Sequence, residues 1–446
     1  MNLCILPQSP DYKKLNILRT LFPDVPIIAL TATCSPSVLQ SVVKILGLKP
    51  PDDPLGTLVF TSPLYRPNLA YKVLDKPDSA ADQYQQISSW ILQHYPNKSG
   101  IIYCLSKKDT HSVAEGIDKA SEGRVRVGVY HADLSEDTKE KIHRYWRDGR
   151  IHVVVATIAF GLGINQPNVR FVIHHTMSKS LDGYYQESGR AGRDGLPAEC
   201  ILYYRGSDVS RLTTLAIGEV EGIGNVYGML GFAQDLVHCR KILFERYFSS
   251  GGTQYAHDEG ALNPTDMDRV CGVCDNCLRP ASEVTERDVT LAAYTVVKIL
   301  EALSRAEEKT TYIKMLDVLW SRAGRPGKIV KGMVERGEIT ASPEFSREDM
   351  ERVLNNLILE GHVKEEFHFT PYSTISYLVL GPRAPSLLRE TKASIENGQG
   401  TRLKLHFLTN RLVAEKAPKQ RKRKRAKVIE LEEESNEEFE GSDDKD

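Results

Sequence analysis

Apolar positions come in short runs bounded by turn residues, and their period changes along the chain. Between residues 63 and 207, strands are predicted at Gly100–Cys104, Val125–Tyr130, Ile151–Ala156, Val169–His174 and Glu199–Tyr204. Amphipathic stretches between them predict helices at Gln83–Gln93, Asp109–Ala120, Glu136–Asp148 and Leu181–Ala191. Runs such as Val153–Val155 fit strands buried on both faces, and the alternation predicts an α/β fold: a parallel sheet covered on both sides. Active loops are expected at the strand C-terminal ends. Ahead of this unit, a Pro-bounded strand Val25–Leu30, a polar turn and a helix Val38–Leu46 look like the end of another α/β unit. Leu58–Leu74, with Pro63 and Pro67, reads as a linker entering a strand. After Arg205 the pattern turns helical, with amphipathic helices at Asp288–Ser304 and Met350–Glu360. Two strands, Val363–Thr370 and Thr374–Leu380, follow around Pro371. Helices closed by a hairpin suggest a winged helix. Beyond Ser386 periodicity fades and a mostly disordered tail is expected. The divisions drawn are 1–62, 63–207, 208–284, 285–385 and 386–446.

Composition narrows this picture. A chain of 446 residues suggests two to four domains at about 100–200 residues each. With 41% hydrophobic and 26% charged residues, collagen-like, mucin-like and wholly disordered classes are excluded. The longest apolar stretch, Val153–Ile164, is broken by Gly161 and Gly163 and falls short of the about 20 residues a membrane span needs. No membrane partner is expected. Met1–Gln8 has no basic region, so no signal peptide is read there, and reduced, intracellular thiols are expected. The net charge of −1 hides a polarised tail: Lys416–Lys427 is basic without an acid, and Glu430–Asp446 is strongly acidic. Any basic surface on the body must therefore be local.

The most specific run is Val153–Gly195. It holds Ala156-Thr157-Ile158-Ala159-Phe160-Gly161-Leu162-Gly163-Ile164-Asn165 and Gln186-Glu187-Ser188-Gly189-Arg190-Ala191-Gly192-Arg193-Asp194-Gly195. Glycines just past a buried strand let backbone approach a phosphate closely. Arg190 and Arg193, three apart, would share one helix face and point at a polyphosphate. These runs resemble motifs five and six of RecQ-family DNA helicases. Leu30-Thr31-Ala32-Thr33, Ile101-Ile102-Tyr103-Cys104-Leu105-Ser106 and Tyr130-His131-Ala132-Asp133-Leu134 resemble further family motifs in the right order. Met177–Ser180 and Tyr184-Tyr185 look most like the short eukaryotic RecQ-like branch. The resemblance covers roughly Asp11 to Ala384.

The resemblance implies a stub of a first RecA-like lobe, a second RecA-like lobe, a zinc-binding helical subdomain and a winged helix. It implies ATP with Mg2+, single-stranded and forked or branched DNA, a nuclear location, and work in repair, recombination or replication. Arg190 and Arg193 would reach the ATP γ-phosphate, one as an arginine finger, with Gln186, Gly161 and Gly163 lining the cleft. Ser106, His131 and Thr157 would contact DNA phosphates, and Thr31–Thr33 would couple the lobes. The sequence contains no G-x-x-x-x-G-K-[ST] loop and no DEAH-type acid box. Little unaided ATP turnover is therefore expected, and a helicase partner or complementing chain is one way to supply the phosphate cradle. A non-catalytic protein that docks on branched DNA is the alternative reading.

Cys271-x2-Cys274-x2-Cys277 has tight ligand spacing, and Cys239 can supply a fourth thiolate for a closed structural zinc site, with free thiols as the alternative. At the hairpin tip, the resemblance points to Tyr372 as a strand-separating aromatic that wedges into a base step; packing is its alternative role. Phe367 and Phe369 are expected in the core. Lys419–Lys427 is a candidate nuclear localisation signal or phosphate contact, or else a solvated charge run.

Overall fold

The computed structural model describes residues 14–31, 33–34, 36–60, 64–161, 166–219, 221–249, 271–320, 324–340, 344–400 and 402–409. The basic and acidic runs of the tail, the segment 250–270 and Gly163 lie outside the described residues. No described helix is long and apolar enough to cross a membrane.

Two short helices come first, α1 (Ile17–Leu21) and α2 (Pro36–Ile45). The strand expected at Val25–Leu30 is not formed, and Ile28 and Leu30 are 82% and 69% exposed. A strand exists only where a neighbouring edge accepts its ladder hydrogen bonds, and the described residues offer this segment none.

The body of the fold follows in strict alternation: β1 (Leu69–Asp75), α3 (Ala80–His94), β2 (Gly100–Tyr103), α4 (Lys107–Ala120), β3 (Val127–Tyr130) and α5 (Glu136–Arg147). It continues through β4 (Val153–Ala156), β5 (Phe171–His174), α6 (Leu181–Ser188) and β6 (Ala198–Tyr204). The strands form a six-stranded parallel sheet in the order β1-β6-β5-β2-β4-β3. Every residue of β2, β4 and β5 is buried, as the apolar runs require. Alternate side chains serve two cores. Ile101, Val154 and Val172 join Trp146 and Tyr184 on one face, while Ile102, Val153 and Ile173 pack with Ile87, Val113 and Ile117 of α3 and α4 on the other. Serine caps start the helices: Ser79, Ser106, Ser135 and Ser180 each accept from a backbone N–H in the first turn.

Next come α7 (Val209–Ala216), α8 (Gly222–Gln234), α9 (Arg240–Ser249) and α10 (Asp275–Leu278), packed on the α6 side. The C-terminal part opens with β7 (Val284–Asp288), then α11 (Thr290–Arg305), α12 (Tyr312–Trp320), α13 (Gly324–Glu335) and α14 (Arg347–Leu359). The antiparallel hairpin β8 (Val363–Phe369) and β9 (Thr374–Leu380) follows, then α15 (Ala384–Leu388), α16 (Lys392–Glu396) and β10 (Lys404–Leu408). Order thus continues well past residue 386, against the expectation of a disordered tail from that point. β10 returns to pair antiparallel with β7, burying Leu405 and Phe407. Three elements of at most five residues are too short to show a period, and the strand that receives β10 lies far back in sequence.

This part is seated on the last sheet strand. The Ser207 N–H donates to Glu351 Oε2 at 3.0 Å and Asn355 Nδ2 donates to the Tyr204 hydroxyl at 3.1 Å. Gly206 makes the approach possible, since a Cβ there would lie 2.8 Å from Asn355 Nδ2.

Candidate functional site

The C-terminal ends of β2, β3, β4 and β5 and the loop after α6 collect most of the residues singled out in the sequence. α6 stops at Ser188, so Arg190 and Arg193 do not share a helix face as expected. They ride on a tight loop, residues 189–195, in which Gly192 takes φ +56°. The loop is clamped from the segment before β1. Arg66 Nη2 donates to Gly192 O at 2.8 Å, and Asn68 Nδ2 donates to Gly192 O at 2.7 Å and Leu196 O at 2.9 Å. A Cβ on Gly192 would fall 2.5 Å from Asn68 Nδ2, so the clamp needs glycine by contact as well as by φ.

Arg190 Nη1 donates to Gly161 O at 2.6 Å, while its Nε is buried without a partner among the described residues. A Cβ on Gly161 would stand 2.8 Å from Arg190 Nη2. Burial, then the fields of Arg190 and Arg66, pull the Arg193 guanidinium below its ordinary pKa range. Three like charges with an unused donor form a site chemically suited to a polyanion such as a nucleotide triphosphate. Gln186 Nε2 donates to Thr33 Oγ1 at 3.2 Å, which joins the loop region to the N-terminal segment.

Glu187, beside Gln186, was not singled out by its sequence context. Its buried carboxylate accepts from Ser178 Oγ at 2.9 Å and from His174 Nε2 at 2.6 Å, and His174 stacks on Tyr103 at 5.3 Å. The Tyr103 hydroxyl donates to Phe160 O at 2.8 Å. Glu187 thus fixes α6 to the strand ends, and the only sequence signal was an acid set among aromatic and small residues of a helix expected to be buried.

Ser106 and Thr157 line one recess of about 460 Å³ with Leu105, Lys107 and Lys108. Ser106 Oγ accepts from the Asp109 N–H at 3.1 Å as the α4 cap, leaving its own proton to donate at a helix N-terminus. Lys107 pairs with Asp133. His131 is not in the recess lining; it is buried, with Nε2 3.0 Å from His111 Nε2 on α4.

The four cysteine thiols, Cys239 ahead of α9 and Cys271, Cys274 and Cys277 around α10, lie within 4.8 Å of one another. Four sulfur donors at that spacing fit a closed tetrahedral zinc site. Asp275 anchors the cluster. Its carboxylate takes Arg240 Nε and Nη2, each at 2.9 Å, and also accepts from the Val73 N–H on the open edge of β1 at 3.0 Å. At the hairpin tip, Tyr372 is 98% exposed. Phe369 is 67% exposed and not in the core as expected, because the hairpin runs beyond the helices that cover Val363 and Glu365.

Residues 82–195 match the helicase conserved C-terminal domain family. Over 384 residues the chain is 40% identical to ATP-dependent DNA helicase Q1 of Rattus norvegicus, covering 86% of this chain and 57% of that protein. It is 36% identical to ATP-dependent DNA helicase Q-like 2 of Arabidopsis thaliana, covering 86% and 49%. With RecQ-like DNA helicase BLM of Xenopus laevis it shares 34% over 85% of this chain and 27% of that protein. The chain spans about half the length of the Q1 and Q-like 2 relatives.

Proposed function

Because the chain belongs to the RecQ family of helicases, we propose that it acts in an ATP-dependent 3′–5′ DNA helicase, as its second motor lobe, zinc platform and winged helix. The observation that carries this reading is the hold of Gly161 O on Arg190 at 2.6 Å beside Arg193 and Arg66. Gly161 follows the strand whose loop also carries Thr157, so a shift of backbone at the nucleic-acid recess moves the guanidinium directly. Bound ATP with Mg2+ supplies the phosphoryl group whose transfer to water drives movement. Arg190 and Arg193 stabilise its charge, Gly161 leaves room for it, and Gln186 ties the site to Thr33.

Ser106, Thr157 and the neighbouring lysines hold phosphates of single-stranded DNA, with His131 acting through His111 behind them. Cys239, Cys271, Cys274 and Cys277 hold a structural zinc whose role is to fix α9 and α10 against the sheet. The helices α11–α14 and the hairpin β8–β9 form the winged helix, and exposed Tyr372 wedges into the fork, at a cost of a few kcal/mol of unstacking. The setting is nuclear DNA repair, recombination or replication on forked and branched DNA.

One observation favours a companion element that supplies the phosphate cradle. A cavity of about 1960 Å³ lies between apolar side chains of residues 15–60, among them Ile28, Leu30 and Phe60, the last 90% exposed, and Tyr71, Tyr185, Phe244 and Phe248. Such a patch is normally covered. The test measures fork binding and DNA-stimulated ATP turnover, with the chain alone and with a P-loop-bearing lobe added. Fork binding is expected in both, with turnover only in the second and lost on Arg190→Ala. Absence of fork binding would sink the proposal.

A further inference from the structure

The edge of the sheet opposite the site described above carries its own concentration of positive charge. Arg126 precedes β3, Arg150 precedes β4, and Lys141, Arg144 and Arg147 lie on α5, whose C-terminal end returns to the strand N-termini. Three of these cations surround one ring: Arg150 Cζ, Lys141 Nζ and Arg144 Cζ stand 5.1, 5.6 and 5.9 Å from the Tyr145 centroid. The local fold enforces this. Tyr145 O accepts from the Arg150 N–H at 2.8 Å and the Ile151 N–H at 3.0 Å, which turns the chain back on α5 and brings Arg150 beside Arg144. Arg126 Nη2 donates to Gly149 O at 2.9 Å and fixes the same turn.

Compensation is partial, since α5 also carries Glu136, Asp137 and Glu140 toward its start. Lys139 pairs with Glu136 in the first turn of α5, and Arg147 lies 3.9 Å from Asp148. Lys141, Arg144 and Arg150 are exposed and have no carboxylate partner among the described residues. A helix C-terminus favours one or two cations through its dipole, but that does not account for Arg150, which lies outside the helix. Nor does a general excess of positive charge, since the chain carries a net −1.

We propose that this patch is a second anion-binding surface that takes the phosphate backbone of a nucleic-acid segment other than the one at the Ser106–Thr157 recess. Phosphate backbone is the partner that charge alone can hold, with guanidinium forks suited to its oxygens. An acidic peptide also needs apolar anchors, and no exposed large hydrophobic side chain lies between residues 121 and 152. The two surfaces lie at opposite ends of β3 and β4, and the seven residue steps from Arg150 to Thr157 span at most about 23 Å at the usual rise per strand residue, so one branched substrate can reach both. This inference rests on the reading of the chain as a DNA-binding helicase part.

The test uses the full chain and a fluorescein-labelled forked duplex, with affinity followed across a potassium chloride series. The variant Lys141→Gln/Arg144→Gln/Arg150→Gln changes only exposed side chains and is expected to keep its unfolding midpoint. Its log affinity against log salt should flatten by about 2–3, the slope of that many phosphate contacts, with affinity down about ten- to hundredfold at low salt. The variant Arg144→Lys/Arg150→Lys should retain most of the slope. If the wild type binds no DNA, this inference and the proposed function fall together. If the wild type binds and the triple variant matches it in affinity and slope, the second surface alone is overturned. Loss of polyglutamate binding with DNA binding unchanged would also overturn it, by assigning the patch to an acidic peptide.

Discussion

The Glu365 carboxylate accepts from the Tyr227 hydroxyl at 2.9 Å, joining the base of the β8–β9 hairpin to α8. The same carboxylate accepts from Thr213 Oγ1 on α7 at 3.0 Å and from Ser376 Oγ on β9 at 2.6 Å, and Glu365 is almost wholly buried. Burial, then the carboxylate charge, pushes the Tyr227 hydroxyl well above its ordinary pKa range, so it stays a donor. A buried charge is tolerated when its lone pairs are filled, and here three elements fill them. The exposed tip carrying Tyr372 therefore stands on a base tied to the helices beneath.

Glu365→Ala removes the acceptor shared by three hydroxyls and should destabilise the fold by about 3 kcal/mol, with Glu365→Gln costing about half as much. Tyr227→Phe should cost about 1 kcal/mol. Urea unfolding reads all three, and an alanine variant within about 0.5 kcal/mol of wild type would show that the network holds nothing.

Cys274→Ser should abolish stoichiometric zinc and lower solubility, because Cys274 is a fully buried member of the thiol cluster. The damage should spread to the edge of the sheet, since Asp275 next to it caps the Val73 N–H. Cys200→Ser, in a buried strand away from the cluster, should leave metal content unchanged. Metal analysis of the two purified variants decides: one zinc per chain in Cys274→Ser removes the assignment.

The sheet was legible because strands buried on both faces are written as unbroken apolar runs, and Val153–Ala156 and Phe171–His174 sit where those runs fall. The end of α6 was not. Ser188-Gly189-Arg190-Ala191 continues a helical spacing, and the stop depends on Arg66 and Asn68, more than a hundred residues earlier, holding Gly192 O and Leu196 O. Glu187 and Asp275 escaped notice for a related reason: a buried acid looks like any surface acid until its donors are in place. Cys271, Cys274 and Cys277 were the opposite case, because ligand spacing is itself local. His131 was placed at the right strand end, yet its burial against His111 depends on α4 crossing behind it.

Gly161→Ala should act on chemistry more than on stability. Its Cβ would press on Arg190 Nη2 at 2.8 Å, a contact that a side chain can relieve by moving away from its working position. In an assembly that hydrolyses ATP, Arg190→Ala should lower DNA-stimulated turnover by about 10³ or more, and Gly161→Ala by about tenfold. Fork affinity without nucleotide should change little in either. Turnover unaffected by Arg190→Ala would show that another group neutralises the transferred phosphoryl charge.

Mild acid should weaken the fold through its buried histidines. Burial, then the charge of Lys76, lowers the His175 pKa to about 4, and its Nε2 has no partner among the described residues. An unfolded histidine titrates near 6.5. Between these values the unfolded chain binds a proton that the folded chain refuses, so stability falls as pH drops from about 6.5 toward 4 and is unaffected above that window. The full effect is on the order of 3 kcal/mol. His152 and His362 are lowered too, chiefly by burial, and act in the same direction. His175→Phe keeps a ring opposite Tyr84, whose centroid lies 6.2 Å away, and removes the titration. Urea unfolding of wild type at pH 7.5 and 5.0 should show a loss that this variant reduces by about 1–2 kcal/mol. An identical loss in the variant would place the acid sensitivity elsewhere.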